Sequence, residues 1–346
     1  MKVARYMEAN GPLQIMDESE PQLAAGEILI KVIEAGICST DAKIVMGKRT
    51  IKAGIVLGHE IAGIIVDISS DIKAFVPGDR VGIFPGLSCQ TCYYCQKGLT
   101  NICESKISLG LQIDGGFQQY MKVPSSIVSY GNVVKLPSTI NFREATLLEP
   151  ISCCLQSHEI VNVHSGDNVL IAGAGSMGLL HLIIFQSIGV RKIIVSDPLK
   201  DRRELALELG ASRVIDSPNE DVVKISHEET NGIGVDVCYL CADDPVVIGQ
   251  LCDAVRKRGA VNIFSSSIKN LGAVIDPNTL HYKEIFLTGS HSSSLEHYNR
   301  SFAYFDTCRV QLNKIITQVF SIKEINQAMQ MYITNKALKA LIQPNE

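Results

Sequence analysis

Asn168-Val-Leu-Ile-Ala-Gly173-Ala-Gly175-Ser176-Met177-Gly178 decides the fold: an apolar run, three glycines spaced G-x-G-x-x-G, then an apolar stretch reaching Ile188. The spacing predicts a buried strand feeding a tight turn and a helix. Gly173 makes the turn, Gly175 lets a pyrophosphate approach the backbone, and Gly178 lets helix and sheet pack closely. The phosphates would lie at the helix N-terminus, by Ser176 and Met177, where unpaired N–H groups and the dipole favour negative charge. A second strand, Lys192 to Ser196, ends at Asp197. An acid there accepts hydrogen bonds from the ribose hydroxyls and repels a 2′-phosphate, so NAD is expected over NADP. Arg202 and Arg203 are the residues that would pair with such a phosphate if one were bound.

Outward from this motif, apolar strands alternate with helical stretches, as a doubly wound parallel sheet requires. Further strands are expected at Val235 to Leu240, Ala260 to Phe264 and Ile285 to Thr288, with helices at Ser176 to Ile188, Asp201 to Leu209 and Pro245 to Arg256. Before about residue 150 the texture differs, with short strands such as Glu27 to Glu34 and Ile61 to Ile68, and the turn Pro77-Gly78-Asp79. This half reads as an irregular β barrel. Past residue 295, Leu295 to Cys308 and Ile325 to Tyr332 read as helices, and Ala337 to Ile342 as a strand returning to the barrel. The expected division is therefore 1–150 completed by 295–346, with 151–294 as the dinucleotide-binding part.

Composition narrows the partners. The 346 residues carry a formal charge of −4 and a sequence pI near 6.1, which points away from nucleic acid and anionic membrane and towards small molecules. MKVARYMEAN lacks an apolar signal region, and no apolar run is long enough to span a bilayer. A cytoplasmic location is expected, where eleven cysteines serve as thiols and metal ligands rather than disulfides.

Four of those cysteines, Cys89, Cys92, Cys95 and Cys103, form a C-x2-C-x2-C-x7-C loop suited to enclosing one tetrahedral zinc with no open position. The rival is an iron–sulfur cluster, but the bacterial ferredoxin run closes sooner and is followed by proline, whereas Glu104 follows Cys103. A second, open site is suggested by Cys38, His59-Glu60 and Glu149. A thiolate, a neutral imidazole and a carboxylate balance a divalent zinc and leave a fourth position for an alcohol oxygen. Between the first two of these lies a basic cluster, Lys43, Lys48, Arg49 and Lys52, read either as solvated loop charge or as a holder of a substrate phosphate or carboxylate. Cys238 and Cys241 share C-x2-C spacing, but on a buried strand they read as packing thiols.

Taken together, Gly36-Ile-Cys38-Ser-Thr40-Asp41, Gly58-His59-Glu60-x-x-Gly63, Pro77-Gly-Asp-Arg-Val81, the cysteine loop, Gly115-Gly-Phe117-x-x-Tyr120, Glu149-Pro150 and the glycine motif resemble the zinc-dependent medium-chain dehydrogenase/reductase family over essentially the whole chain. The resemblance implies a GroES-like β-barrel catalytic domain plus a Rossmann domain, with an active site in the cleft between them. It implies that Cys38, His59 and an acid bind catalytic zinc, that Thr40 relays the substrate proton, and that the protein is a homo-oligomer. Glu149-Pro150 resembles the sorbitol and polyol branch, in which Glu60 itself contacts zinc and the later glutamate holds its water. Two positions depart from the family pattern: Lys43 replaces a frequent histidine, and a lysine relays protons less readily near neutral pH, while Ser69 replaces a turn glycine. The expected activity is NAD-linked oxidation of a secondary hydroxyl on a polyol, sugar alcohol or cyclitol. A phosphorylated or carboxylated sugar alcohol, threonine dehydrogenase-like amino-alcohol oxidation and a non-catalytic NAD-binding sensor are the alternatives.

Overall fold

The computed structural model describes residues 1–267 and 272–346. They form two compact units: Met1–Ser152, Ser293–Phe305 and Ile316–Glu346 in the first, Cys153–Ser292 and Asp306–Ile315 in the second. The helix Arg309–Ile315, which lies in the stretch assigned from sequence to the first unit, packs in the second, where Lys314 reaches Glu208 at 2.6 Å.

In the first unit the organising strand is Ile28–Gly36. It pairs antiparallel with Glu60–Ile68, Tyr120–Val123 and Ala340–Gln343, and the sheet continues through Arg80–Ile83 and Val133–Lys135 on one side and Gln318–Ser321 on the other. Ile28, Ile30, Val32, Ile61, Ile65, Phe117 and Met121 are all fully or almost fully buried and form the core on which the sheet closes. Register matters here because side chains alternate between faces, so pairing Gly36 with Glu60 fixes what each strand end presents. The strand Gln14–Asp17, paired with Lys2–Arg5, escaped sequence reading because all four of its residues are exposed and no alternation marks it.

The second unit carries an all-parallel sheet in the spatial order Arg213–Ile215, Lys192–Ser196, Asn168–Ala172, Val235–Leu240, Val255–Ile263, Phe286–Gly289. The order reverses between Asn168–Ala172 and Val235–Leu240, so the glycine turn after the first of these strands sits at the topological switch point. Two expected elements are corrected. The stretch Pro245 to Arg256 is a 3₁₀ turn and a helix Ile248–Ala254; its end is strand because Val255 is fully buried in register with Val235. The stretch Leu295 to Cys308 breaks into Leu295–Ser301 and Tyr304–Thr307, with the Ser301 hydroxyl donating to the Tyr298 carbonyl at 2.6 Å where the first helix ends.

The helix Ser176–Ser187 is buried on nearly every side and includes the fully buried His181. Its Nδ1 lies 2.8 Å from Nε2 of His158, whose ring stacks on Phe185 at 4.4 Å. Burial holds the His158 imidazole down at about 3, against the opposing charge of Glu159, and burial together with His158 holds His181 well below its usual range. Both rings fold in as neutral groups, whereas the unfolded chain protonates them below about pH 6.5. Stability is therefore complete above that pH and falls as pH drops, by up to about 1.4 kcal/mol per pH unit for each ring. We expect His181→Leu to flatten the acid limb of urea-unfolding midpoints measured from pH 7.5 to 4.5, and an unchanged slope would show that the pair does not couple to folding.

Candidate metal centres and dinucleotide site

The four cysteine sulfurs of the loop converge within 4.8 Å of one another, and all four are free thiols. The Cys89–Cys95 and Cys92–Cys103 sulfur pairs are each 4.0 Å apart. Zn–S bonds of about 2.3 Å give a tetrahedral edge near 3.8 Å, so the spacing fits one zinc. The backbone prepares the thiolates: Cys92 N–H donates to Cys89 Sγ at 3.3 Å and Cys89 N–H to Cys103 Sγ at 3.2 Å. Amide N–H groups of Thr91 and Cys92 lower the Cys89 thiol to about 6, while burial raises Cys95 to about 11. A tight turn supplies these donors because Cys92 caps the short helix Tyr93–Gln96.

The second cluster brings together ligand atoms of Cys38, His59 and Glu60, again within 4.8 Å. Cys38 lies two residues past the central strand and caps the helix Ser39–Val45; His59 precedes and Glu60 opens the neighbouring strand. Asp41, fully buried, holds the ends together: its carboxylate accepts from Cys38 N–H at 2.9 Å and Gly58 N–H at 3.3 Å, and lies 3.6 Å from His59 Nδ1. Burial alone would keep His59 neutral, but the charges of Asp41 and Cys38 prevail and lift it well above the usual range. His59 Nδ1 has no hydrogen-bond partner, so a nitrogen–sulfur–oxygen donor set of high negative potential is left facing inward, which fits a divalent cation.

Two groups that sequence reading passed over complete this cluster. Lys339, 2 % exposed, ion-pairs with Glu60 and donates to the Ile37 carbonyl at 3.1 Å. Burial pulls its pKa down, yet Glu60 and Cys38 more than offset this and keep the ammonium charged. The available signal was a lysine amid apolar residues in Ala337-Leu-Lys-Ala-Leu. Asp41 was visible in the Cys38 motif but not its bonds to the backbone. Glu149 stands outside the 4.8 Å group, half-buried; burial raises the Glu60 pKa and the Glu149 charge adds to that rise, as it also adds to the upward shift of Lys339. Thr40 is half-buried in the first turn after Cys38.

In the second unit the glycine turn has the geometry its spacing required. Gly173 takes φ +105°, and a Cβ on Gly178 would stand 1.9 Å from the Gly173 carbonyl oxygen. Gly175 is exposed, with nothing within 4 Å of where a Cβ would stand, and Ser176 and Met177 open the helix behind it. Asp197 is 8 % exposed; its carboxylate accepts from Ala174 N–H at 2.7 Å and Leu199 N–H at 2.8 Å, each oxygen keeping a lone pair for a ribose hydroxyl. Arg203 is already engaged, donating to the Asp197 and Pro198 carbonyls at 2.8 Å and to Asp216 at 3.0 Å. Arg202 is half-buried beside it.

Gly36 exposes how tightly the Glu60 carboxylate is seated, because a Cβ there would stand 1.8 Å from Glu60 Oε2. Gly36→Ala should push Glu60 off the cluster. Metal analysis should find the cysteine-loop zinc retained and the other lost or weakened; full retention of both would contradict this seating.

Comparison with known proteins agrees with this geometry. Residues 24–138 match the family model described as alcohol dehydrogenase GroES-like domain, and residues 176–306 the model described as zinc-binding dehydrogenase. An L-threonine 3-dehydrogenase of Pyrococcus abyssi is 35 % identical over 254 residues, covering 72 % of this chain and 71 % of its own. Sorbitol dehydrogenase of Bacillus subtilis is 28 % identical across 99 % of this chain and 97 % of its own. A putative zinc-binding dehydrogenase of Sinorhizobium meliloti, solved with NADP, superposes with a TM-score of 0.90 at 26 % identity, covering 99 % of both chains. With both family models, relatives along its length and the same two-unit fold, the chain belongs to the zinc-dependent medium-chain dehydrogenase family and is a zinc-type alcohol dehydrogenase.

Proposed function

We propose that this enzyme oxidises a secondary hydroxyl of a polyol, sugar alcohol or cyclitol to a ketone with reduction of NAD. The observation that carries the reading is the Cys38–His59–Glu60 donor group, with the Glu149 carboxylate near enough to act on it electrostatically. Zinc held there would supply Lewis acidity to an alcohol oxygen, and nicotinamide would supply the hydride acceptor. The protein residues do the positioning. Asp41 fixes His59, Lys339 offsets the Glu60 charge, and the Thr40 hydroxyl, two residues after Cys38, takes the alcohol proton towards solvent. Glu149 accepts a hydrogen bond from a second, vicinal hydroxyl, a group that an apolar pocket would leave unpaired.

Preference for NAD rests on Asp197, whose buried charge would meet a 2′-phosphate, and on Arg203 being engaged elsewhere. The Sinorhizobium structure holds NADP, so the acid at this position is the feature to test. The closed cysteine loop is a structural zinc site on this reading. The same reading places the enzyme in the cytoplasm as a homo-oligomer acting on small molecules; among the described residues no helix is long and apolar enough to cross a membrane. A second reading, oxidation of the β-hydroxyl of an amino acid, is favoured by the 35 % identity to an L-threonine 3-dehydrogenase.

A panel of sugar alcohols, cyclitols, diols and L-threonine, followed by NADH absorbance, decides between these readings, and turnover of threonine alone would replace the first by the second. Chelation should remove the open-site metal first, abolishing turnover while far-UV circular dichroism persists; an active protein with a single zinc per chain would contradict the two-site assignment. Thr40→Val should keep zinc and NAD but slow turnover roughly 10²–10⁴-fold. Asp197→Ser should narrow the NAD preference, and a parent enzyme that already favours NADP would overturn the reading of Asp197.

A further inference from the structure

The segment between Asp41 and Gly58 leaves the candidate zinc site and returns to it. Both ends are stapled by one carboxylate, since Asp41 accepts from Cys38 N–H at the start and Gly58 N–H at the finish. Within the excursion, the Lys43 carbonyl accepts from Lys48 N–H at 2.8 Å and Arg49 N–H at 3.1 Å, so Lys43, Lys48 and Arg49 share one turn. That turn follows the seven-residue helix that starts beside Cys38, a separation of about 10 Å along the axis. Lysine and arginine side chains span much of such a distance.

Charge on the excursion is one-sided. Residues 42–59 include Lys43, Lys48, Arg49 and Lys52 and no acid. Lys48, Arg49 and Lys52 are exposed, and among the described residues none is paired with a carboxylate. Arg5 nearby in the fold is different: its guanidinium binds Glu18 at 2.6 Å and Asp114 at 3.1 Å and is internally neutralised. A chain of net charge −4 thus keeps three unneutralised cations on the one loop that is closed at its zinc ligands. Helix-dipole compensation accounts for a single cation at the last turn, Lys43, and leaves the other three without a structural task.

We propose that this loop recognises an anionic group on the substrate, so that the alcohol oxidised carries a phosphate monoester or a carboxylate several carbons from the reacting hydroxyl. Lys48 and Arg49 bind the anion, with Lys52 adding to the local field. The proposal rests on the zinc–NAD alcohol dehydrogenase reading and names its substrate class. Two or more charge-assisted hydrogen bonds to the anion are worth roughly 10–100-fold in kcat/KM over the uncharged parent alcohol.

The test uses the zinc-loaded enzyme with three matched six-carbon compounds, a hexitol, its 6-phosphate and the corresponding aldonate, at low and high salt. Faster turnover of the phosphate identifies a phosphate ester and faster turnover of the aldonate a carboxylate; either supports the proposal when the advantage shrinks with salt. Lys48→Ala/Arg49→Ala should lower the anionic-to-uncharged kcat/KM ratio at least about tenfold, mainly through KM. Lys257→Ala, an exposed lysine of the second unit, serves as the control. Equal turnover of charged and uncharged alcohols by the parent, or an unchanged ratio in the double variant, would overturn the assignment. If no alcohol is oxidised, the dehydrogenase reading fails on its own, and calorimetric titration with the hexitol phosphate still decides the loop. Binding lost in the double variant supports it, and no binding or equal binding overturns it.

Discussion

The buried Asp41 carboxylate is the constraint on which the first unit's site depends. It draws two backbone N–H groups, some twenty residues apart in the chain, to a single point and sets itself against His59. Buried N–H groups left without an acceptor cost about 1–3 kcal/mol each, so the carboxylate holds the chain crossing together as well as the imidazole. The glycines around it complete the fit: Gly58 adopts φ +89°, and a Cβ on Gly115 would strike the Gly58 carbonyl at 2.0 Å. The residues of the cluster can meet only because their flanking backbones approach closer than side chains allow.

Electrostatics divides the two units. Around the half-buried Cys38 thiol the first unit buries the Asp41 and Glu60 carboxylates, the His59 imidazole and the Lys339 ammonium, an arrangement whose desolvation is offset by mutual attraction and, on the proposed reading, by a cation. In the second unit burial outweighs the Glu159 charge at His158, and together with His158 it keeps His181 neutral. The same side chain therefore does opposite work in the two halves. Its neighbours, Asp41 in one case and Phe185 with Tyr239 in the other, make the difference.

Much of this was legible because the signals are local. A strand–glycine–helix motif, four cysteines in one loop and the run around Cys38 each carry their meaning within about fifteen residues, and the parallel strands of the second unit show as continuous apolar runs. What escaped was non-local or weakly patterned. Lys339 acquires its meaning only when the last strand pairs beside Ile28–Gly36, and the availability of Arg203 for a phosphate is decided by its bonds to Asp216 and two carbonyls, which no local pattern announces. The stretch after Leu295 has apolar residues at helical spacing, and no glycine or proline marks the break that follows Ser301.

The Glu60–Lys339 pair joins residues 279 positions apart, whereas the cysteine loop closes over 14. At a synthesis rate of roughly 5–20 residues per second, Glu60 waits on the order of tens of seconds for its counter-ion, while the cysteine loop is complete within about a few seconds. On the proposed reading a newborn chain can thus capture one metal while still on the ribosome, long before the acid of the other cluster has its lysine. Assembly of the two clusters is separated in time by the wiring of the chain, and the one to which the proposed reading gives the chemistry is the one that matures last.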